Sequence, residues 1–224
     1  HYQKALQIWP GDPGAHNNLA IELSRAGRGD LAAQHFAAAI AIWPGFVDAR
    51  NNYGLLLAGQ GKLDEAVTQF KEAVRLRPNH PAALFHLASA QAQKGDYADA
   101  ARGFESLLRL YPDDVQTLNN LAWTLATCPD GDVRDPKTAV VHAEHAAKLT
   151  QRRQPHVLDT LAAAYAARGR FEDAVKAAGE GLALAERAGD ERLAATIRAH
   201  LVSFEKGKMV QDDQLQKTRT VIVP

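Results

Sequence analysis

The sequence has a single cysteine, no excess charge of either sign and no long apolar run, and each absence excludes a class of protein. Because Cys128 is alone, no internal disulfide framework can form. Lysine plus arginine equals aspartate plus glutamate at 26 each, so no overall field favours nucleic acid or an anionic membrane. No apolar run is long enough to cross a bilayer. We therefore expect neither a nucleic-acid partner nor direct membrane insertion.

The recognisable catalytic motifs are also missing. The sequence contains no glycine-rich phosphate loop, no nucleophile elbow and no HExxH helix. His142 and His145 lie three residues apart, but two imidazoles without a third ligand favour a solvated surface over a metal site. We expect no enzyme activity, no cofactor and no metal.

What the sequence does have is a period of 34 residues. Four prolines mark it, at positions 10, 44, 78 and 112. Core-type residues recur at the same step: Leu19, Tyr53, Leu87 and Leu121; Ala20, Gly54, Ala88 and Ala122; Phe36, Phe70 and Phe104. A fixed period in this range predicts a stacked array of supersecondary units.

One period, Pro44 to Pro78, indicates what each unit should be. Tyr53 and Leu57 recur at helical spacing, and Gly61 stands where a left-handed residue would end that helix. A second helix opens with Asp64 in its first turn and stops at the closing proline. Each unit is therefore predicted to be a helix hairpin. Since one hairpin cannot bury its apolar face alone, its neighbours must supply the rest of the core.

This period and spacing of small and aromatic residues resemble the tetratricopeptide repeat family. The resemblance implies an all-α fold, in which antiparallel helix hairpins form a right-handed superhelical solenoid with a C-terminal capping helix. The stretch from Leu118 to Leu149 and the repeat after it are similar to a C-terminal module common in bacterial repeat proteins, which favours a bacterial origin.

The period divides the chain into five full repeats between two partial elements. We expect the end of a truncated repeat at 1–12, repeats at 13–46, 47–80, 81–114, 115–154 and 155–190, a capping helix at 191–205 and an irregular tail at 206–224. The fourth repeat should carry a lengthened loop at 129–135, because its small residue Ala139 arrives five positions late. Since the first residue falls inside a repeat, we also expect a longer parent protein.

The resemblance implies that a ligand would bind the concave surface, which the first helix of each hairpin lines. Asparagine pairs stand at the same phase of three of these helices, although asparagine is unfavourable in a helix interior. An asparagine amide offers a donor and an acceptor to an extended peptide backbone. The pattern is similar to the asparagine ladder in the repeat region of O-GlcNAc transferases. The alternative is that the amides bond the neighbouring hairpin and set the superhelical pitch.

The candidate groove residues are Asn17, Asn18, Arg25, Asn51, Asn52, Leu55, Phe85, His86, Ser89, Asn119, Asn120 and Trp123. Cations are too few among them for a carboxylate clamp. The leading hypothesis is a non-enzymatic scaffold that holds an extended peptide or a helix of a partner protein, with aromatic contacts from Phe85 or Trp123. Two alternatives stay open: a substrate-docking or regulatory arm of a larger enzyme such as a glycosyltransferase, and a self-assembly module that forms homo-oligomers.

Overall fold

The computed structural model describes residues 2–211, except for the side chain of Gln3, and within that range the protein is helical with no strand. The predicted all-α class is confirmed. The helices are α1 (Tyr2–Ile8), α2 (Pro13–Arg25), α3 (Gly29–Ile42), α4 (Val47–Gly59), α5 (Leu63–Leu76), α6 (Pro81–Lys94), α7 (Tyr97–Leu110), α8 (Val115–Thr127), α9 (Pro136–Leu149), α10 (Pro155–Ala167), α11 (Phe171–Arg187) and α12 (Glu191–Glu205).

The helices belong to two compact units, which divide after Lys94. The first unit contains α1 to α6, in which α2 packs with α3 and α4 with α5. The second contains α7 to α12, in which α8 packs with α9 and α10 with α11. The predicted capping helix is present as α12, which packs on α11 and α10. None of the helices in residues 2–211 combines the length and hydropathy that a bilayer crossing requires.

Glycine ends the first helix of each hairpin in the first unit. Gly27 follows α2 with φ +72° and Gly61 follows α4 with φ +76°, so both have the left-handed conformation that residues with a side chain rarely adopt. The next amide then bonds back to an unpaired carbonyl, from Lys62 N to Leu57 O at 2.9 Å in α4. The role predicted for Gly61 is confirmed.

The connection between α8 and α9 spans residues 128–135 and is held at both ends. The Asp135 carboxylate accepts from the Lys137 and Thr138 amides, so it caps α9 ahead of Pro136. The Asp135 amide donates to Leu125 O at 3.1 Å. Cys128 is buried, and its Sγ lies 3.4 Å from Asp130 O.

The expected irregular tail is described only in part. A turn at Lys206 and Gly207 ends α12, and residues 208–211 have no regular structure. Residues 212–224, among them the apolar end Val221 to Val223, lie outside the described residues.

The core of each hairpin is completed by the first helix of the next one. In the first unit, Leu19, Ala20, Leu23, Ala32 and Phe36 form a buried cluster against which Tyr53 of α4 packs. The rings of Phe36 and Tyr53 are stacked, with centroids 5.9 Å apart. The following cluster, built around Leu57 and Phe70, takes in Ala90 and Leu87 of α6.

Gly54 tests this packing, because its backbone lies against the ring of Phe70. A Cβ on Gly54 would stand 2.5 Å from Phe70 Cε1, so Gly54→Ala should lower the free energy of unfolding by about 1–3 kcal/mol. Gly59→Ala, in the same helix, meets no atom within 4 Å and should raise it by up to about 1 kcal/mol. Urea denaturation followed by circular dichroism measures both. A Gly54→Ala variant as stable as the wild type would show that the Phe70 ring yields freely.

Candidate functional site

The paired residues predicted to line the groove form hydrogen bonds from one first helix to the next. In the first unit, Asn52 Nδ2 of α4 donates to Asn17 Oδ1 of α2 at 3.1 Å. Asn17 Nδ2 in turn donates to Asn18 Oδ1 at 3.2 Å. We call such a side-chain contact between successive first helices a rung.

A second rung joins α4 to α6. His86 Nδ1 lies 2.8 Å from Asn51 Oδ1. An amide oxygen can only accept, so the imidazole must carry its proton on Nδ1. Both rungs connect residues 35 apart, since each runs from the first residue of one pair to the second residue of the next. These contacts therefore support the architectural role considered for the asparagines, in which their amides bond the neighbouring hairpin.

Each rung also leaves one donor and one acceptor without a partner among residues 2–211. In the first rung, counted together with Asn18, which accepts from Asn17 within α2, these are Asn18 Nδ2 and Asn52 Oδ1. In the second they are Asn51 Nδ2 and His86 Nε2. Asn17 and Asn51 are only 6% and 7% exposed, whereas Asn18, Asn52 and His86 are half-buried.

The other predicted residues of the first unit lie around the rungs in different environments. Phe85 is half-buried and meets His86 edge-on, with ring centroids 5.8 Å apart. Leu55 packs against the core cluster around Phe70. The Ser89 Oγ atom is buried, and no hydrogen-bond partner for it lies in the described part of the chain. Arg25 is exposed and pairs with Glu22 at 3.0 Å.

The second rung is uncharged at neutral pH. Burial, together with the nearby His80, lowers the pKa of His86 to about 4. The ring centroids of Phe70 and His86 are 5.6 Å apart, so Phe70 contributes to the apolar surroundings of the imidazole. Both rungs thus present neutral amide and imidazole groups.

The second unit uses the same positions differently. Within the described helices no rung joins α8 to α10, because the Thr160 hydroxyl donates to His156 O within its own helix. Asn119 Oδ1 is buried with no partner in residues 2–211, and the backbone carbonyl of Asn120 accepts from the Thr124 hydroxyl. Asn119 and Asn120 therefore do not repeat the arrangement of the first unit.

A rung that sequence reasoning missed joins α10 to α12. Asp159 stands at the phase of Asn17 and Asn51, and its carboxylate oxygens lie 2.8 and 3.0 Å from His200 Nδ1. Both side chains are almost completely buried. The separation is 41 residues rather than 35. α11 is three residues longer than α5, the connection before α12 is one residue shorter than that before α6, and His200 stands four residues further along α12 than His86 does along α6. The phase of Asp159 was visible in the sequence, whereas the register of α12 was not.

Trp123 does not line an open groove, contrary to the sequence prediction. Its side chain is 5% exposed and packs on His200 with ring centroids 5.8 Å apart. The physical reason is the docking of α12, which brings His200 over the indole. Trp123 therefore presents no open aromatic face in this conformation.

The predicted weak pair His142 and His145 acquires no further ligand. His145 Nε2 lies 3.0 Å from Asp113 Oδ1. Burial lowers the pKa of His142. Within the described residues, no three histidine, cysteine, aspartate or glutamate side chains are placed to hold one metal ion.

Comparison with known families agrees with this arrangement of hairpins. Tetratricopeptide repeat models match residues 17–81, 54–115 and 85–126, and a further one matches 156–188. These matches together cover more than half of the chain. The chain belongs to the tetratricopeptide repeat family. No match was found among curated protein sequences.

Solved tetratricopeptide repeat structures share the fold at low sequence identity. MamA 41-end from Desulfovibrio magneticus RS-1 has a TM-score of 0.69 at 18% identity, covering 80% of this chain and 97% of its own. YrrB, a TPR protein with an unusual peptide-binding site, has a TM-score of 0.68 at 16% identity, covering 88% and 97%. A thermophilic TPR protein from Thermus thermophilus has a TM-score of 0.61 at 18% identity, covering 87% and 100%.

His86 makes the stability of this tetratricopeptide repeat array depend on pH. Since its pKa is about 4 in the folded state and about 6.5 when unfolded, the unfolded chain binds the extra proton first. The stabilisation is complete above pH 6.5 and is lost as the pH falls toward 4, by at most about 3 kcal/mol.

The matched control is His86→Asn. This change replaces the imidazole donor of the second rung with an amide donor, as Asn52 supplies in the first rung. This variant should equal the wild type at pH 7.5 and lose less stability at pH 4.5. Urea midpoints across this range measure the difference, and the other buried histidines cancel from it. If the urea midpoints of the two proteins fell in parallel with pH, His86 would not be the source of the pH dependence.

Proposed function

We propose that this protein is an interaction scaffold whose first unit binds an extended segment of a partner polypeptide along α2, α4 and α6. The observation that carries the proposal concerns the hydrogen bonds of each rung. They fix the rung's side chains and still leave one donor atom and one acceptor atom unpaired within the described residues. Tetratricopeptide repeats are typically non-catalytic, which agrees with the absence of catalytic motifs in the sequence.

The free groups suit the backbone of an extended peptide. Asn18 Nδ2 and Asn51 Nδ2 can donate to peptide carbonyls, while Asn52 Oδ1 and His86 Nε2 can accept from peptide amides. A helical ligand has already paired most of these groups internally, so the arrangement favours an extended ligand over a helix. Each bond contributes about 1 kcal/mol net, so binding needs both rungs together.

The spacing of the rungs fits the same ligand. Neighbouring packed helices are separated by about 8–10 Å. Three residues of an extended chain span about 10 Å. An extended peptide that bonds one rung therefore reaches the next rung within about three residues.

The surroundings of the rungs indicate the side chains of the ligand. Ile21, Leu55 and Phe85 lie half-buried beside them, and Arg25 is occupied by Glu22. This favours apolar or small side chains and disfavours recognition of a terminal carboxylate by a cationic clamp. The fold similarity to YrrB, a TPR protein with an unusual peptide-binding site, supports a peptide as the ligand.

The free amide of Asn18 provides the sharpest test. Peptides of 12 residues would be selected from a random displayed library on the wild-type chain, and their Kd measured by fluorescence anisotropy. Asn18→Asp keeps an oxygen for Asn17 Nδ2 but replaces the free donor with a carboxylate oxygen, which repels a peptide carbonyl. Binding should weaken at least tenfold, or about 1.4 kcal/mol.

Asn79→Asp is the matched control, because it makes the same change at an exposed turn between α5 and α6. It should leave Kd unchanged. Equal affinity in the Asn18 and Asn79 variants would contradict peptide binding at the rungs. Selected peptides that become helical on binding, as measured by circular dichroism, would contradict an extended ligand.

A further inference from the structure

One stretch of this chain, outside the described residues, has the composition that the rungs of the first unit suit. Residues 214–224 have the sequence QLQKTRTVIVP. Within them, Thr220, Val221, Ile222 and Val223 form the only run of four β-branched residues in the sequence. β-Branched side chains favour an extended backbone, which is the form of ligand proposed above for the rungs.

The length of this stretch fits the number of rungs. Two rungs join the three first helices α2, α4 and α6. Since neighbouring packed helices are about 8–10 Å apart, a ligand that reaches from α2 to α6 spans about 16–20 Å. Six extended residues span about 20 Å, so residues 218–223 are long enough to bond both rungs.

The side chains beside the rungs match those of the stretch. In an extended chain, alternate side chains share a side, so either side of residues 220–223 carries β-branched groups. Ile21, Leu55 and Phe85 are half-buried beside the rungs and offer apolar surface to these groups. Covering that surface adds hydrophobic stabilisation to the backbone hydrogen bonds.

The charges of the two surfaces are complementary. Residues 214–224 contain Lys217 and Arg219 and no acidic residue. On the side of the first unit that carries the rungs, Arg25 is neutralised by an ion pair. Asp48 lies one helical turn before Asn52 on the same face, and its side chain is 57% exposed although it contacts a histidine at 3.2 Å. Attraction between this carboxylate and a cationic ligand speeds and orients binding.

We propose that residues 218–223 of this chain bind across the rungs of the first unit and compete there with other polypeptides. The inference rests on the proposed function, because it uses the same unpaired donors and acceptors. It adds a specific occupant and a means of regulation, since a partner must displace this stretch before it can bind.

The test supplies the stretch as a separate peptide of residues 214–224 with both ends blocked, so that it does not depend on which copy of the chain provides it. The peptide is titrated into the full chain carrying Val221→Ser, Ile222→Ser and Val223→Ser, a serine variant that cannot compete for the rungs or pair with the peptide. Fluorescence anisotropy should show saturable binding. A scrambled peptide that separates the β-branched residues should bind at least tenfold more weakly, as should the wild-type peptide when Asn18→Asp is added to the protein.

Competition is measured with a peptide selected from the random library. The serine variant should bind this peptide more tightly than the wild-type chain by about threefold or more, because the rungs are no longer occupied. Leu215→Ser, which lies outside residues 218–223, is the matched control and should keep the wild-type Kd. Equal affinity in the wild-type chain and the serine variant would overturn the proposal.

The outcomes also separate this inference from the proposed function. Suppose that the selected peptides depend on Asn18 but the 214–224 peptide fails to bind, or binds equally well with Asn18→Asp. Residues 218–223 are then not the occupant, whereas the interaction scaffold stands. If neither the selected peptides nor the 214–224 peptide depends on Asn18, both proposals fail.

Discussion

Every hairpin in this chain has an apolar face that its own two helices cannot cover. Tyr53 of the following hairpin stacks on Phe36, and residues of α6 pack on the cluster that contains Phe70. Gly54 lacks a side chain where that ring must approach the helix backbone. This dependence of each core on the next hairpin brings successive first helices together and so creates the positions at which the rungs form.

A polar side chain at such a contact must find a partner, since an unpaired buried amide costs about 1–3 kcal/mol. Asn17 and Asn51 satisfy this requirement through the next helix. An amide has more hydrogen-bonding groups than one such bond uses, and the remainder points away from the contact. The architectural and ligand-binding interpretations of the asparagines are therefore compatible: one atom of a side chain fixes the neighbouring hairpin, while another stays available.

The sequence allowed the parts of this structure that repeat to be predicted. The hairpins and the left-handed Gly61 follow from local chemistry that the 34-residue period makes visible. Trp123 was predicted wrongly because its burial depends on where α12 docks, and the longer α11 shifts α12 out of the period. The contact between the Nδ1 atoms of His16 in α2 and His35 in α3 was equally hidden, because a separation of 19 residues becomes a contact only when the two helices of a hairpin lie side by side.

Comparison of the repeats indicates where such an array can vary its chemistry. At the junction before each first helix, His16 and His35 in one repeat do the structural work of Arg50 and Gln69 in the next. In both repeats the first residue donates to the carbonyl of the proline before the helix and contacts the second residue. The next two first helices have Leu84 and Leu118 at the position of His16 and Arg50, and leucine has no donor, so folding does not fix the residue type at this position. The rungs differ in the same way, as an amide pair, an amide with an imidazole, and a carboxylate with an imidazole. Because neighbouring hairpins supply the stability, these positions can acquire ligand specificity one repeat at a time without altering the core.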